Sequence, residues 1–167
     1  MKSIVTLRRT SLALAALVIT PALLAATATS NDRAFVAKVS QGGAYEVAAS
    51  KVAAERASAP DVRDLALTEI HDHDGVNERL HKIAAATGVN IAPTPNAEFQ
   101  QRLAKLRATP AADFDAAYIA DMQQIHDKDE KLFAQEANDG SEPYRLFAHQ
   151  TDLIVKRHIG ALHGLDH

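Results

Sequence analysis

The chain has 167 residues, with 18 Lys+Arg against 21 Asp+Glu, 47% apolar and 5% aromatic residues, and no cysteine. That length and apolar fraction fit one domain with a real core. The missing thiols exclude a disulfide framework, a thiolate zinc site, a thioether-linked haem and a Cys-anchored iron–sulfur cluster, and the mildly acidic balance argues against nucleic-acid binding, which calls for a basic surplus.

Lys2, Arg8 and Arg9 precede an apolar run over 11–26, and small residues follow. This is the charged, apolar and small-residue order of a secretory signal. Ala26-Thr27-Ala28 supplies an A-x-A site, so residues 1–28 are expected to be a leader and 29–167 the mature domain. Pro21 interrupts a run already short of the roughly 20 residues of a membrane span. The expected product is periplasmic or secreted, with no stable membrane insertion after cleavage. Arg8-Arg9 matches a twin-arginine signal only loosely, and no cysteine is present for a lipid anchor. Without the leader, 15 basic residues stand against 21 acidic ones, a formal charge of −6 that favours solubility and repels anionic membrane surfaces.

After Ser30 the apolar residues recur every three or four positions, with no period-2 run, so the remainder reads as all-α. A first helix over 31–57 carries Phe35, Val39, Glu46, Ala49 and Ala53 along one side. Ser58 is expected to cap the second, with Pro60 in its first turn, and Gly88 to end it near 87. The stripe of that helix is Val62, Leu65, Ala66, Ile70, Val76, Leu80, Ile83 and Ala84. Pro93 and Pro95 mark a connector, followed by a short helix over 96–108. Thr109-Pro110 opens a third long helix that ends before Asp139-Gly140, and Ser141 with Pro143 opens a fourth reaching about 162. Four long amphipathic helices with a longer middle connection predict a four-helix bundle.

Polar residues interrupt these stripes. At about 100° per residue, His73 points inward with Ile70, Val76, Leu80 and Ala84, and Glu69 lies on the same side one turn earlier. Glu46 is nearly in line with Phe35, Val39 and Ala53. His158 is central among Phe147, Ile154, Val155 and Leu162, whereas His126 sits near Ile119, Met122 and Phe133 at one edge of a broad stripe. His149 falls on the face opposite His158, His71 and His81 lie off centre, and His163 and His167 belong to the C-terminal tail. Any one of the inward residues is ordinary, a satisfied core histidine or a snorkelling glutamate. Several together are not. Burying unpaired polar groups costs several kcal/mol, so they must meet one another, water or a cation. Imidazoles with a carboxylate suit iron, zinc or copper, which makes Glu46, His73, His126 and His158 the candidate metal ligands, with Glu69 in reserve. A metal-free His–Glu network competes with this reading.

Depth along the bundle depends on topology. In a simple up-down-up-down bundle Glu46, His73, His126 and His158 fall within about five residues of depth, or 7–8 Å of rise, which suits one site. If the middle connection crosses the bundle, Glu46, His73 and His126 stay together, and His158 is expected about 15 Å from His126. Both layouts stay open.

Several stretches form a set: Asp32-Arg33-Ala34-Phe35-Val36, Gln41-Gly42-Gly43-Ala44-Tyr45-Glu46, Asp72-His73 followed by Asn77 and Leu80, Phe114-Asp115 with Tyr118, His126, and His158-Ile159. On these the mature chain resembles, over about 31–162, the exported bacterial family called domain of unknown function 4142, which is grouped with ferritin-like bundles. The resemblance implies a ferritin-like four-helix bundle with a short extra helix between the second and third long helices, and no established activity. Di-iron enzymes of that fold place a Glu on each of two helices and a Glu-x-x-His on each of the other two. The one Glu-x-x-His here is Glu78-Arg79-Leu80-His81, with Glu78 about 140° from His73. A ferroxidase or di-iron oxygenase is therefore poorly supported.

Three further features each have two readings. Gly42-Gly43 lies inside a helix, where each glycine costs up to about 1 kcal/mol relative to Ala, so it marks either a close helix approach or a break. Tyr118 either bonds a core polar group or packs with its hydroxyl at the rim. Asp129 and Glu130 either orient His126 or form a solvated face with Lys128 and Lys131. No G-x-S-x-G, Gly-rich phosphate loop or H-E-x-x-H occurs, which points away from an enzyme. The expected protein is an exported bundle holding a transition metal in its core. The alternatives are a non-catalytic interaction or stress-tolerance module with a metal-free core network, and a hydrolase or oxidoreductase with an unrecognised site.

Overall fold

Thr29 starts the first helix. Its hydroxyl accepts from the Asp32 backbone N–H at 3.1 Å, and the Asp32 carboxylate accepts from the Thr29 N–H at 2.6 Å, a reciprocal capping box. The computed structural model describes residues 27–165 and contains α1 (Ser30–Arg56), α2 (Pro60–Ala86), α3 (Ala97–Ala108), α4 (Phe114–Asp139) and α5 (Tyr144–His163). Among the described residues there is no strand, as the apolar spacing predicts. The expected leader lies outside the described residues except for its last two positions, and so does His167.

Two expected caps belong to something else. Ser58 does not cap α2, whose N-cap Ala59 has no side-chain bond. Instead Asp115 of α4 reaches across and accepts from the Ser58 N–H and hydroxyl and, at 2.9 Å, from the Ala59 N–H. Ser141 does not cap α5 either; its N–H and hydroxyl donate to Asp32 at 3.0 and 2.5 Å. α4 begins later than the Thr109-Pro110 signal, after a 3-10 turn at Ala111–Asp113. Gly88, at φ 69°, ends α2 in a conformation that favours glycine. Gly42-Gly43 causes no break, because α1 runs through it.

These cross-links set the topology. Asp115 ties the start of α4 to the α1–α2 turn, Asp32 ties the start of α1 to the α4–α5 turn, and the Thr87 and Tyr144 hydroxyls, 2.6 Å apart, join the end of α2 to the start of α5. So α1 and α5 run one way and α2 and α4 the other, and the connection through α3 crosses the length of the bundle. One long crossover is the ferritin-like arrangement. The crossover is pinned to α1 and α4. Gln41 donates to the Thr94 carbonyl at 3.3 Å, Phe99 stacks on Tyr45 with centroids 5.0 Å apart, and Arg102 pairs with Asp121 at 2.7 Å.

In this layout His158 is not stranded. The sequence-based count assumed that α5 returns to the α1–α2 end, but α5 has 20 residues against 26 in α4 and stops about 9 Å short of it. Measured from the α4–α5 turn they share, His126 and His158 are level, each about 20 Å up its helix.

The interior has three levels. Towards the α1–α2 turn, Ala49, Ala53, Leu65, Phe114, Tyr118, Met122 and Leu162 form one apolar cluster. Towards the α4–α5 turn, Phe35, Val39, Val76, Leu80, Phe133, Phe147 and Val155 form another, with Phe35 edge-on to Phe133 at 5.4 Å. Between them lies a polar level.

Candidate metal centre

The polar level is built from four helices. α2 supplies Glu69 and His73 one turn apart, α4 supplies His126, α5 supplies His158 and α1 supplies Glu46. Glu46, Glu69 and His126 are fully buried, and His158 and His73 are 1% and 4% exposed. Apolar clusters above and below keep water out, which raises the cost of any unpaired charge.

Four donors converge. Glu69 Oε2 lies 3.1 Å from His73 Nε2, 3.4 Å from His126 Nε2 and 3.1 Å from His158 Nδ1. His126 Nε2 and His158 Nδ1 are 3.2 Å apart, and one ligand atom from each of the four residues falls within 4.8 Å of all the others. Donors bonded at about 2.0–2.1 Å to a tetrahedral ion sit about 3.3 Å from one another, so Glu69, His126 and His158 stand at the spacing such an ion requires, with His73 3.1 Å from Glu69. Despite these distances, both Glu69 oxygens and His73 Nε2 lack a hydrogen bond of good geometry.

The far sides of the rings are also occupied. His126 Nδ1 is 2.9 Å from the Met122 carbonyl, and because a carbonyl only accepts, this nitrogen carries a proton and Nε2 is the nitrogen left for a ligand. His158 Nε2 lies 2.8 Å from Asp72 Oδ2, and Asp72 also takes Arg157. Glu46 stands behind two rings, 3.4 Å from His73 Nδ1 and 3.6 Å from His126 Nδ1, and neither of its oxygens makes a hydrogen bond. Carboxylates and carbonyls behind ligating imidazoles are the usual support of a metal site.

Electrostatics show how the groups compensate one another. Burial alone would raise the Glu69 carboxyl, but His126, His158 and His73 around it hold it far below the usual carboxylate range. Burial would lower His73 and His126, but the Glu46 and Glu69 carboxylates raise both, His126 to about 10. Asp72 is held low by His158 and Arg157 against the pull of burial. Asp129 goes the other way, pushed to about 8 by burial and by the charge on Glu46.

Of the residues expected from the sequence, Glu69, His73, His126 and His158 share the centre, and Glu46 lies behind it. Of the acidic pair after His126, Asp129 is buried beside Gly42 while Glu130 is half-buried. Tyr118 is fully buried, its hydroxyl 2.9 Å from that of Ser50. His71, His81, His149 and His163 are exposed. Asp72 was not singled out as a functional residue. Its signal was its place beside His73, one step round the helix toward α5.

The family described as Domain of unknown function (DUF4142) matches residues 19–165. The chain belongs to that family. No curated protein matches the sequence. Among solved structures, this DUF4142 chain is similar to a DUF305 fragment from Deinococcus radiodurans, with a TM-score of 0.74 and 17% identity, covering 84% of this chain and 97% of that one. At that identity the likeness speaks for the helical fold alone. No described helix is long and apolar enough to cross a membrane.

Proposed function

We propose that this DUF4142 protein is exported and holds a divalent transition metal ion in the middle of its bundle, with Glu69, His73, His126 and His158 as ligands and Glu46 behind the rings of His73 and His126. The observation that carries the proposal is the convergence of one carboxylate and three imidazole donors within 4.8 Å of one another, two of them, on Glu69 and His73, buried without a hydrogen bond. Nitrogen-rich, sulfur-free donors suit zinc, iron or copper. Four protein ligands buried between apolar levels form a closed set, the kind used to hold an ion rather than to expose it to substrate. Export is supported by the order of charged, apolar and small residues over 1–28.

Elemental analysis of natively purified protein tests the metal. The expected result is about one transition-metal ion per chain in wild type, and little in His73→Ala or His126→Ala. Wild-type protein that carries no metal and takes up none of Zn2+, Co2+ or Fe2+ would leave the metal-free network as the better account. Mass spectrometry of the mature chain tests the leader, with residues 1–28 expected to be absent.

A further inference from the structure

Two of the three imidazoles at the centre turn a nitrogen toward each other, His126 Nε2 and His158 Nδ1, at 3.2 Å. Which of these nitrogens holds a proton decides what the centre is. The His126 proton is fixed on Nδ1 by its own helix, through the Met122 carbonyl at 2.9 Å. No such backbone partner holds the outer nitrogen of His158; Asp72 does, from α2, at 2.8 Å.

We infer that Asp72 is a positioning residue that keeps the His158 proton on Nε2 and so leaves Nδ1 as a bare lone pair facing the ion. This inference rests on the metal reading above. The chemistry has two branches. An ionised carboxylate only accepts, so with Asp72 in place His158 donates outward from Nε2. Glu69 Oε2, His126 Nε2 and His158 Nδ1 then face one another at 3.1–3.4 Å, an arrangement held together by a metal ion or, without one, by a proton on His126 Nε2. Without Asp72, the His158 proton is better placed on Nδ1, where Glu69 Oε2 at 3.1 Å accepts it. That bond satisfies a buried carboxylate and closes a metal-free network, and an incoming ion must then displace it. Asp72 therefore selects between the two states of the same residues. Arg157 pairs with Asp72 from the position preceding His158, just as Asp72 precedes His73, so the pair also crosses the α2–α5 seam. The Asp72 side chain is 16% exposed and belongs to neither apolar cluster.

The test has two arms. In metal-free protein with 15N-labelled histidine, the ring-nitrogen signals of His158 report which nitrogen is protonated. Wild type is expected to carry the proton on Nε2 and Asp72→Ala on Nδ1. In the second arm Co2+ is titrated and its visible absorption followed. Asp72→Ala is expected to weaken binding about 10–100-fold, as loss of a group behind a ligand does, with the metal-free melting temperature nearly unchanged. Arg157→Ala, which leaves the Asp72–His158 bond intact, should bind within about threefold of wild type. An unmoved proton in Asp72→Ala overturns the inference. So does an equal loss in Arg157→Ala, which would make Asp72 a brace between helices only. If wild type takes no Co2+, the metal reading fails, and the first arm still decides what Asp72 does to His158.

Discussion

Gly42 and Gly43 are neighbours in α1 but answer to different constraints. A Cβ on Gly42 would sit in ordinary contact, 3.8 Å from Asp129 Oδ2 and Ile125 Cδ1, whereas one on Gly43 would lie 2.5 Å from Asn77 Oδ1. Gly42→Ala is therefore expected to stabilise the protein by up to about 1 kcal/mol, the helix-propensity gain. Gly43→Ala has the same gain but must displace Asn77, and should be less stable than Gly42→Ala by about 1 kcal/mol or more. Removing the obstacle with Asn77→Ala should erase that difference, and denaturant unfolding of the two glycine variants in both backgrounds measures it. The same level of detail shows what could be read from the chain alone. Stepping round each helix is enough to turn Glu46, Glu69, His73 and His158 inward, because their angular neighbours are apolar. It is not enough for Asp72, which sits one step, about 100°, round from an inward residue. Whether such a flank faces solvent or another helix depends on the partner, and the partner is not local information.

At the scale of helices, existence, length and approximate bounds were legible, because the 3.6-residue period is repeated many times, but the partners of the residues at their starts were not. Ser58 and Ser141 look like caps, yet their groups are taken by Asp115 and Asp32 from distant helices. The Asp32 joint also carries a pH dependence. Glu136, near the end of α4, is raised to about 7 by burial and then by the hydrogen bond and charge of Asp32, with Asp139 adding to it. A carboxyl raised in the native state binds a proton there that the unfolded chain releases, so its contribution is complete below the ordinary value of 4.5 and is lost as pH rises through about 7. Asp32 is lowered. Its contribution is present above its ordinary value and fades only in more acidic solution, outside this window. Glu136→Gln, whose amide keeps a donor toward Asp32, is expected to lose this slope and to be the more stable protein at pH 8, by about 1–2 kcal/mol after solvent screening. Urea unfolding of both proteins at pH 5 and pH 8 checks it; parallel changes would show that Glu136 is not the source.

At the scale of the molecule, the crossover leaves two hairpins, α1–α2 and α4–α5, joined by a single connection whose residues 92–94 are exposed. The sequence left the path of that connection undecided, since only Asp115, Asp32 and Thr87 reaching across the fold reveal it. The donors are divided between the hairpins, with Glu69 and His73 on one and His126 and His158 on the other. An ion at the centre would act as a rivet through two plates that are otherwise joined by the connection, by shared apolar clusters and by the Asp115, Asp32 and Thr87 cross-links. Cutting the connection at a protease site placed after Pro93 should give two pieces that elute together while metal is bound and separate when a chelator is added. Co-elution that ignores the chelator would mean that apolar packing alone holds the halves. A rivet of this kind would also make the availability of metal in the protein's surroundings set how long each copy survives.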